Sequence, residues 1–237
     1  YYGLPHTIRF VSKKEFVQDI PHILNAMDQP SIDGVNTWFA SKAAAERGYK
    51  VVLSGVGGDE LFCGYASFSR IPRLATIGSV AAKIPGISFL TGAAGYWLAK
   101  RYSKPKIAGL KDFMDSLEGL YFLNRCLFLP QELPSLMDAD LAEEGLSRLN
   151  GTPPGMISAN ARSGSTAIGL LESTHYLRNQ LLRDSDWASM GHSLELRTPL
   201  VDATLLASLG PFIDDFIGGV GKKLLARSPE IPLPASI

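Results

Sequence analysis

The stretch from Leu53 to Glu60, LSGVGGDE, carries residue types suited to holding a phosphorylated ligand. Gly55, Gly57 and Gly58 would leave room for a phosphate or an adenosine ribose against bare backbone amides, and Ser54 would donate a hydroxyl. Asp59 is a hard oxygen donor that could hold Mg²⁺ against phosphate oxygens. The same pattern also fits a plain glycine-rich turn from strand to helix, in which Asp59 and Glu60 only favour the helix N-terminus. Spacing alone leaves both readings open.

For the ligand reading, the turn must lie beyond the carboxyl end of a parallel strand, where open α/β sheets bind their ligands. YKVVLSG, residues 49–55, reads as that strand. Upstream, HTIRFVS (6–12) alternates like a strand. Ser12 then caps the helical pattern KKEFVQDIPHILNAM, with Glu15 placed as in a capping box. SIDGVNTWFASKAAAERG gives an alanine-rich helix closed by Gly48. Strand, helix, helix, strand is the order that builds a parallel layer.

From Ala66 to Ser228 alternation disappears and helical spacing recurs in FMDSLEGLYFLNRCLFL, AIGLLESTHYLRNQLL and DATLLASLGPFI. The expected fold is therefore α/β and mostly helical. Residues 1–237 read as a single domain, with an α/β nucleotide-binding part over 1–65 and a helical part over 66–237. Two parallel strands make no stable sheet alone, so others are expected from outside these residues or from a partner. NGTPPG, residues 150–155, is the strongest loop signal and reads as a loop within the domain.

Of the 237 residues 46% are hydrophobic and 19% charged, the balance of an ordinary globular chain. Lysine plus arginine number 23 and aspartate plus glutamate number 23, so no net field draws in nucleic acid or an anionic membrane. Cys63 and Cys126 have neither metal-ligand nor disulfide-framework spacing, and a reducing cytoplasm is the expected setting. The opening YYGLPHTIRF lacks the pattern of a secretory leader, and a chain that starts on tyrosine reads as a fragment. The apolar run from Ile77 to Ala99 is long enough for a membrane span, but Lys83, Pro85 and Gly86 interrupt it. Two short helices joined at Pro85 are expected instead, with an apolar surface that is a candidate lid or contact face.

Two longer segments narrow the choice. VVLSGVGGDELFCGY (51–65) is similar to the VVLSGxGGDELFGGY segment of the asparagine synthase family. LLRDSDWASMGHSLELRTPLVD (181–202) resembles that family's second signature, LLxxxDRxSMAHSLEVRxPFLD, in the same order and separation. MDQPSIDGVNTWFASKAAAERGYK also resembles the segment before the first signature. The region from Ala66 to Leu170 is the least diagnostic.

The resemblance implies part of a Rossmann-like ATP pyrophosphatase fold of the adenine nucleotide alpha hydrolase kind. Such a domain uses ATP and Mg²⁺ to activate a carboxylate, aspartate by default, as an acyl-adenylate. It releases pyrophosphate and lets ammonia attack, the ammonia coming from glutamine through an N-terminal glutaminase domain. By the same resemblance Ser54 and Gly55 contact the nucleotide near the ribose and α-phosphate. Gly57 and Gly58 keep the turn open, and Asp59 lies on the metal and pyrophosphate side. Oligomeric state stays open, a homodimer being one option.

Several departures matter. The family's first phosphate loop, its lysine loop after the last helix and its glutaminase cysteine are not found in these residues, so residues 1–237 alone are expected to be inactive. The position that usually holds an acid, or a tyrosine in related β-lactam synthetases, is Val56, which cannot move a proton. Glu60 is the candidate catalytic replacement, its other reading being a helix-capping acid. Trp187 stands where the family has arginine, while Asp186, Glu195 and Arg197 are kept. A buried Glu195–Arg197 pair would lock a loop or hold a substrate carboxylate. Cys63 occupies a family glycine position, and the four histidines read as packing or surface residues. The alternatives are a non-catalytic binding or regulatory domain, and a related ligase acting on another carboxylate.

Overall fold

The structure is a computed structural model and describes residues 2–31, 33–81, 105–107, 109–148 and 161–234. The chain divides into two compact units, Tyr1–Gly64 with Glu172–Ile237, and Tyr65–Leu171. In the first lie α1 (Lys13–Ala26), α2 (Gly34–Ala45), β1 (Val51–Leu53), α3 (Gly58–Leu61), α9 (Leu182–Met190), β2 (Glu195–Arg197), α10 (Ala203–Leu209) and α11 (Val220–Arg227). In the second lie α4 (Ser67–Ala81), α5 (Leu110–Phe113), α6 (Leu117–Arg125), α7 (Ala139–Arg148) and α8 (Gly164–Leu171). The fold is α/β and mostly helical, as expected.

Local chemistry sets the ends of the first two helices. Ser12 is extended, and its hydroxyl accepts from the Glu15 amide at 3.1 Å, satisfying one orphan donor of α1. The Glu15 carboxylate turns to Arg9, at 2.5 Å, and Lys42, at 3.0 Å. After α2, Gly48 is left-handed at φ 81° and its amide donates to Ala45 at 2.9 Å, the glycine-closed end that the sequence predicts.

The sheet differs from the expectation. β1 pairs in parallel with β2, Val51 opposite Glu195 and Leu53 opposite Arg197. Residues 6–12 form no strand. Alternation makes a strand only where a neighbour offers a hydrogen-bonding ladder; here Arg9 bonds to Glu15 and Glu46, and Phe10 stays 85% exposed. The true partner of β1 lies within the second signature, in a stretch whose three residues are too few to show a period. β1 is paired on one side only among the described residues, and a groove of about 540 Å³, lined in part by Ile8, Tyr49 and Val51 to Leu53, lies alongside.

The first unit is held by two indoles. Trp38 on α2 and Trp187 on α9 lie 6.3 Å apart, packed with Ile23 and Ala188. Both indole nitrogens donate to buried carboxylates, Trp38 to Asp19 at 2.9 Å and Trp187 to Asp184 at 3.0 Å. A Cβ at Gly34 would stand 2.2 Å from the Trp187 ring and one at Gly191 2.4 Å from the Trp38 ring, so glycine lets helix backbone approach each indole. A ten-residue π-helix, Glu172–Leu181, leads into α9 and was not foreseen from the sequence.

Among the described residues, the stretch Ala203–Arg227 is long and apolar enough to cross a membrane by length and composition alone. It is no continuous helix. Ile217 is extended at ψ 153° and Gly218 left-handed at φ 72°, which breaks it between α10 and α11.

In the second unit Ser116 caps α6 by accepting from the Gly119 amide at 3.0 Å. Phe68, Ile71, Leu129, Ile168 and Leu171 are fully buried at its centre. The paired helices expected around Pro85 and the loop at 150–155 fall outside the described residues, apart from the helical start up to Ala81.

Candidate functional site

The glycine turn grows directly from the sheet. The Ser54 amide continues the ladder by donating to the Arg197 carbonyl at 2.8 Å, and the chain then leaves the strand. The Val56 amide folds back on the Ser54 hydroxyl at 3.2 Å, and the Gly58 amide donates to the Gly55 carbonyl at 3.1 Å. Gly57 at φ 92° precedes α3 in the left-handed conformation, which a side chain would strain.

The six predicted site residues thus fall on one short turn, but with different surroundings. Gly55 is exposed, and a Cβ there would meet nothing within 4 Å. The room at the other two glycines is taken by the protein itself. A Cβ on Gly57 would stand 2.7 Å from Val201 Cγ2, and one on Gly58 3.1 Å from Leu200 Cδ1. Ser54 is half-buried, with its hydroxyl occupied as an acceptor.

Asp59 and Glu60 diverge. The Asp59 carboxylate lies 2.7 Å from Lys222 Nζ, both side chains being 42% exposed. Glu60 is buried at 3% exposure and lines, with Gly57, Leu61, Arg178, Leu200 and Asp202, a cleft of about 350 Å³. Leu177, Leu182 and Leu206 make its remaining wall largely apolar. Ser54, Gly55 and Asp59 do not line that cleft.

Nothing local in GVGKK points Lys222 to an aspartate far back in the chain; the contact is purely tertiary. Among the described residues no group of three or more His, Cys, Asp or Glu side chains could cage a metal ion. A single carboxylate open to solvent nevertheless fits Mg²⁺, which is held by one or two carboxylates with the rest of its shell from phosphate and water.

The altered residues of the two signatures also find physical reasons. Trp187 fills the first unit's core and gives its indole N–H to the buried Asp184 carboxylate. Glu195 and Arg197 are not buried: they meet at 2.8 Å on the surface, at 57% and 60% exposure, because alternate residues of β2 share one face. That corrects the expected locking pair. The buried carboxylate of this region is Asp184, which accepts from Trp187 and from the Ser31 hydroxyl, while Asp186 is exposed.

Cys63 sits at φ 52°, which explains a glycine preference at that position. Burial, and then the nearby Asp214 charge, push its thiol up to about 12, so it is no nucleophile. His192 lies against Trp38 with ring centres 4.1 Å apart and the rings tilted by 57°, and burial lowers its pKa, in keeping with a packing role.

Known proteins carry the same pattern. Over 218 residues the chain is 27% identical to a Mycobacterium tuberculosis protein provisionally named a glutamine-hydrolyzing asparagine synthetase, covering 86% of this chain and 30% of the relative. It is 25% identical over 250 positions to the glutamine-hydrolyzing asparagine synthetase 1 of Bacillus subtilis, covering 99% of this chain and 37% of that protein. A Methanocaldococcus jannaschii relative reaches 39% identity over 69 residues, 27% of this chain and 13% of its own length. The chain therefore spans about a third of the first two proteins named. No solved structure matches it at a significant level. The asparagine synthase family, in contrast, is matched over residues 1–237, and the chain belongs to that family.

Proposed function

We propose that this chain forms part of the synthetase portion of an ATP-dependent, amide-forming ligase that activates a carboxylate as an acyl-adenylate for attack by ammonia. The observation that carries the proposal is the bare backbone at Gly55 beyond β1, followed four residues later by the solvent-open carboxylate of Asp59. Ser54 and Gly55 would lie against the ribose and α-phosphate, their small size letting the ligand reach the main chain. Asp59 would hold Mg²⁺ on the pyrophosphate side. The ion would supply charge neutralisation for the triphosphate. Gly57 and Gly58 would act indirectly, by letting Leu200 and Val201 pack over the turn and fix its shape.

Glutamine is the proposed source of ammonia, through a glutaminase domain, because the relatives are named as glutamine-hydrolyzing enzymes. Glu60 is the proposed proton acceptor in place of the missing acid at Val56, since it borders a cleft large enough for a small acid. The apolar wall of that cleft favours a second reading, an acceptor carboxylate less polar than aspartate.

The test is pyrophosphate release by the native protein that carries this chain, measured over a panel of carboxylates. Turnover should fall at least about a hundredfold in Asp59→Asn with folding intact. Release with no carboxylate in the panel, or undiminished release by Asp59→Asn, would overturn the proposal. Residues 1–237 alone should bind Mg-ATP no tighter than about 1 mM by isothermal titration.

A further inference from the structure

The π-helix Glu172–Leu181 has two unlike sides. One is tied to the loop before α2: Tyr176 Oη and Gln180 Nε2 donate to Asp33 Oδ2 at 2.9 and 2.5 Å, and Gln29 Nε2 donates to the Asn179 carbonyl at 2.7 Å. The other borders the Glu60 cleft through Ser173, Leu177 and Arg178, followed by Leu182 at the start of α9. These four residues lie at i, i+4, i+5 and i+9. An α-helix turns about 100° per residue, so residues nine apart would face opposite ways. Bonding from i to i+5 widens the turn and brings all four to one wall. The winding thereby delivers a guanidinium to a cleft lined mainly by leucines. Arg178 is exposed and stands at the outer edge, whereas Glu60 is buried. Arg183, five residues on, is paired with Asp28 at 2.6 Å. Arg178 has no carboxylate partner among the described residues; its Nε donates to Asn179 Oδ1 at 3.1 Å, which leaves the rest of its donor fork to a ligand.

We propose that Arg178 selects the acceptor by binding the second, unreactive carboxylate of an acid whose apolar chain lies along Leu177, Leu200 and Leu206. The proposal rests on the ligase reading above and names the substrate class of that site, a dicarboxylic acid with a longer carbon chain than aspartate. Gly57 belongs to both the cleft and the glycine turn, so the reacting carboxyl would leave the cleft there, toward Gly55. At the solvent edge the planar fork of Arg178 pairs bidentately with the other carboxylate. Between the two ends, each methylene laid against leucine tightens binding by about fourfold, a gain that aspartate, with one methylene, does not reach.

The experiment uses the native protein carrying this chain and its Arg178→Gln and Arg178→Glu variants. The probes are aspartate, adipate, hexanoate, which matches adipate in length but has one carboxylate, and 6-aminohexanoate, which has an ammonium in place of the second. Pyrophosphate release gives kcat/KM, and calorimetry gives the binding of adipate alone. The wild type should prefer adipate to aspartate, and adipate to hexanoate by about tenfold, as one charge-assisted hydrogen bond provides. Arg178→Gln should bring the adipate-to-hexanoate ratio near one, through KM rather than kcat, because the far carboxylate is held alike before and during reaction. Arg178→Glu should turn the preference toward 6-aminohexanoate, a reversal that a merely structural role does not produce. Preference of the wild type for aspartate, its equal use of adipate and hexanoate, an unchanged ratio in Arg178→Gln, or no gain of 6-aminohexanoate in Arg178→Glu overturns the proposal. Two outcomes separate it from the ligase reading. If aspartate releases pyrophosphate while Arg178→Gln binds adipate as the wild type does, only the role of Arg178 fails. If Arg178→Gln binds adipate about tenfold more weakly but no acid releases pyrophosphate, the ligase reading fails and Arg178 stands as the carboxylate anchor of the cleft.

Discussion

At Gly55 an added Cβ would meet nothing within 4 Å, whereas at Gly57, two residues on, it would stand 2.7 Å from Val201 Cγ2. Gly57 is also left-handed and Gly55 is not. Gly58 resembles Gly57 in its contact, with Leu200 Cδ1 at 3.1 Å. One glycine thus bares the main chain to solvent, and the other two bare it to the protein. Leu200 and Val201 come from the second signature, so the two signatures meet where the second closes over the far side of the first. Residue type alone does not say whether the space a glycine leaves is meant for a ligand or for a neighbour.

The largest effect that would test this difference is Gly57→Ala. It adds both a strained φ and a close contact, and should cost about 2–4 kcal/mol in urea denaturation. Stability within experimental error of the wild type would break the distinction. Adding Val201→Ala to that variant should recover about 1 kcal/mol, since the nearest obstructing methyl is removed and the sites couple directly.

Cys63 extends the comparison to a left-handed position that carries a side chain. Cys63→Gly should be about 1 kcal/mol more stable than Cys63→Ala, both lacking the thiol and only the alanine keeping the strain. Equal melting temperatures would mean that φ is not what limits the site.

The packed side of the unit should also respond to acid. Burial lowers the pKa of His192 in the folded protein, so below about pH 6.5 the unfolded chain takes up a proton that the folded one resists. Stability is then full above that pH and falls as pH drops below it. His192→Gln should show a shallower fall in thermal denaturation across the same range. The smallest effect belongs to Gly55→Ala, within about 0.5 kcal/mol of the wild type. It should nevertheless weaken ATP binding by the native protein, a separation of stability from ligand affinity that Gly57→Ala cannot give.

Features written in a few consecutive residues were legible. Ser12 announced the start of α1, Gly48 the end of α2, and VVL followed by SG the strand and its exit. What escaped depends on partners distant in the chain. HTIRF has the alternation of a strand and finds no ladder, while ELR, too short to show a period, completes one with β1. That Trp187 packs in a core follows from its residue type, but its neighbours were hidden, because Trp38 and Gly34 are set against it only by the fold. Lys222 was hidden for the same reason: its partner is chosen by the fold of the last helix. For the site, the sequence located the turn, and the structure divided it into a solvent-facing and a packed side.

The wide-turned segment from Glu172 to Leu181 acts on everything after it as a phase shifter. Each π-turn takes up more chain than an α-turn, so the length of the segment sets the rotational angle at which α9 emerges. Losing one residue there would swing the following face by about 100°. Trp187 would then leave Trp38 and Gly34, and the Leu200–Val201 cover would lose its alignment with the glycine turn. Insertions and deletions in this stretch should therefore be tolerated far less well than substitutions on its solvent face.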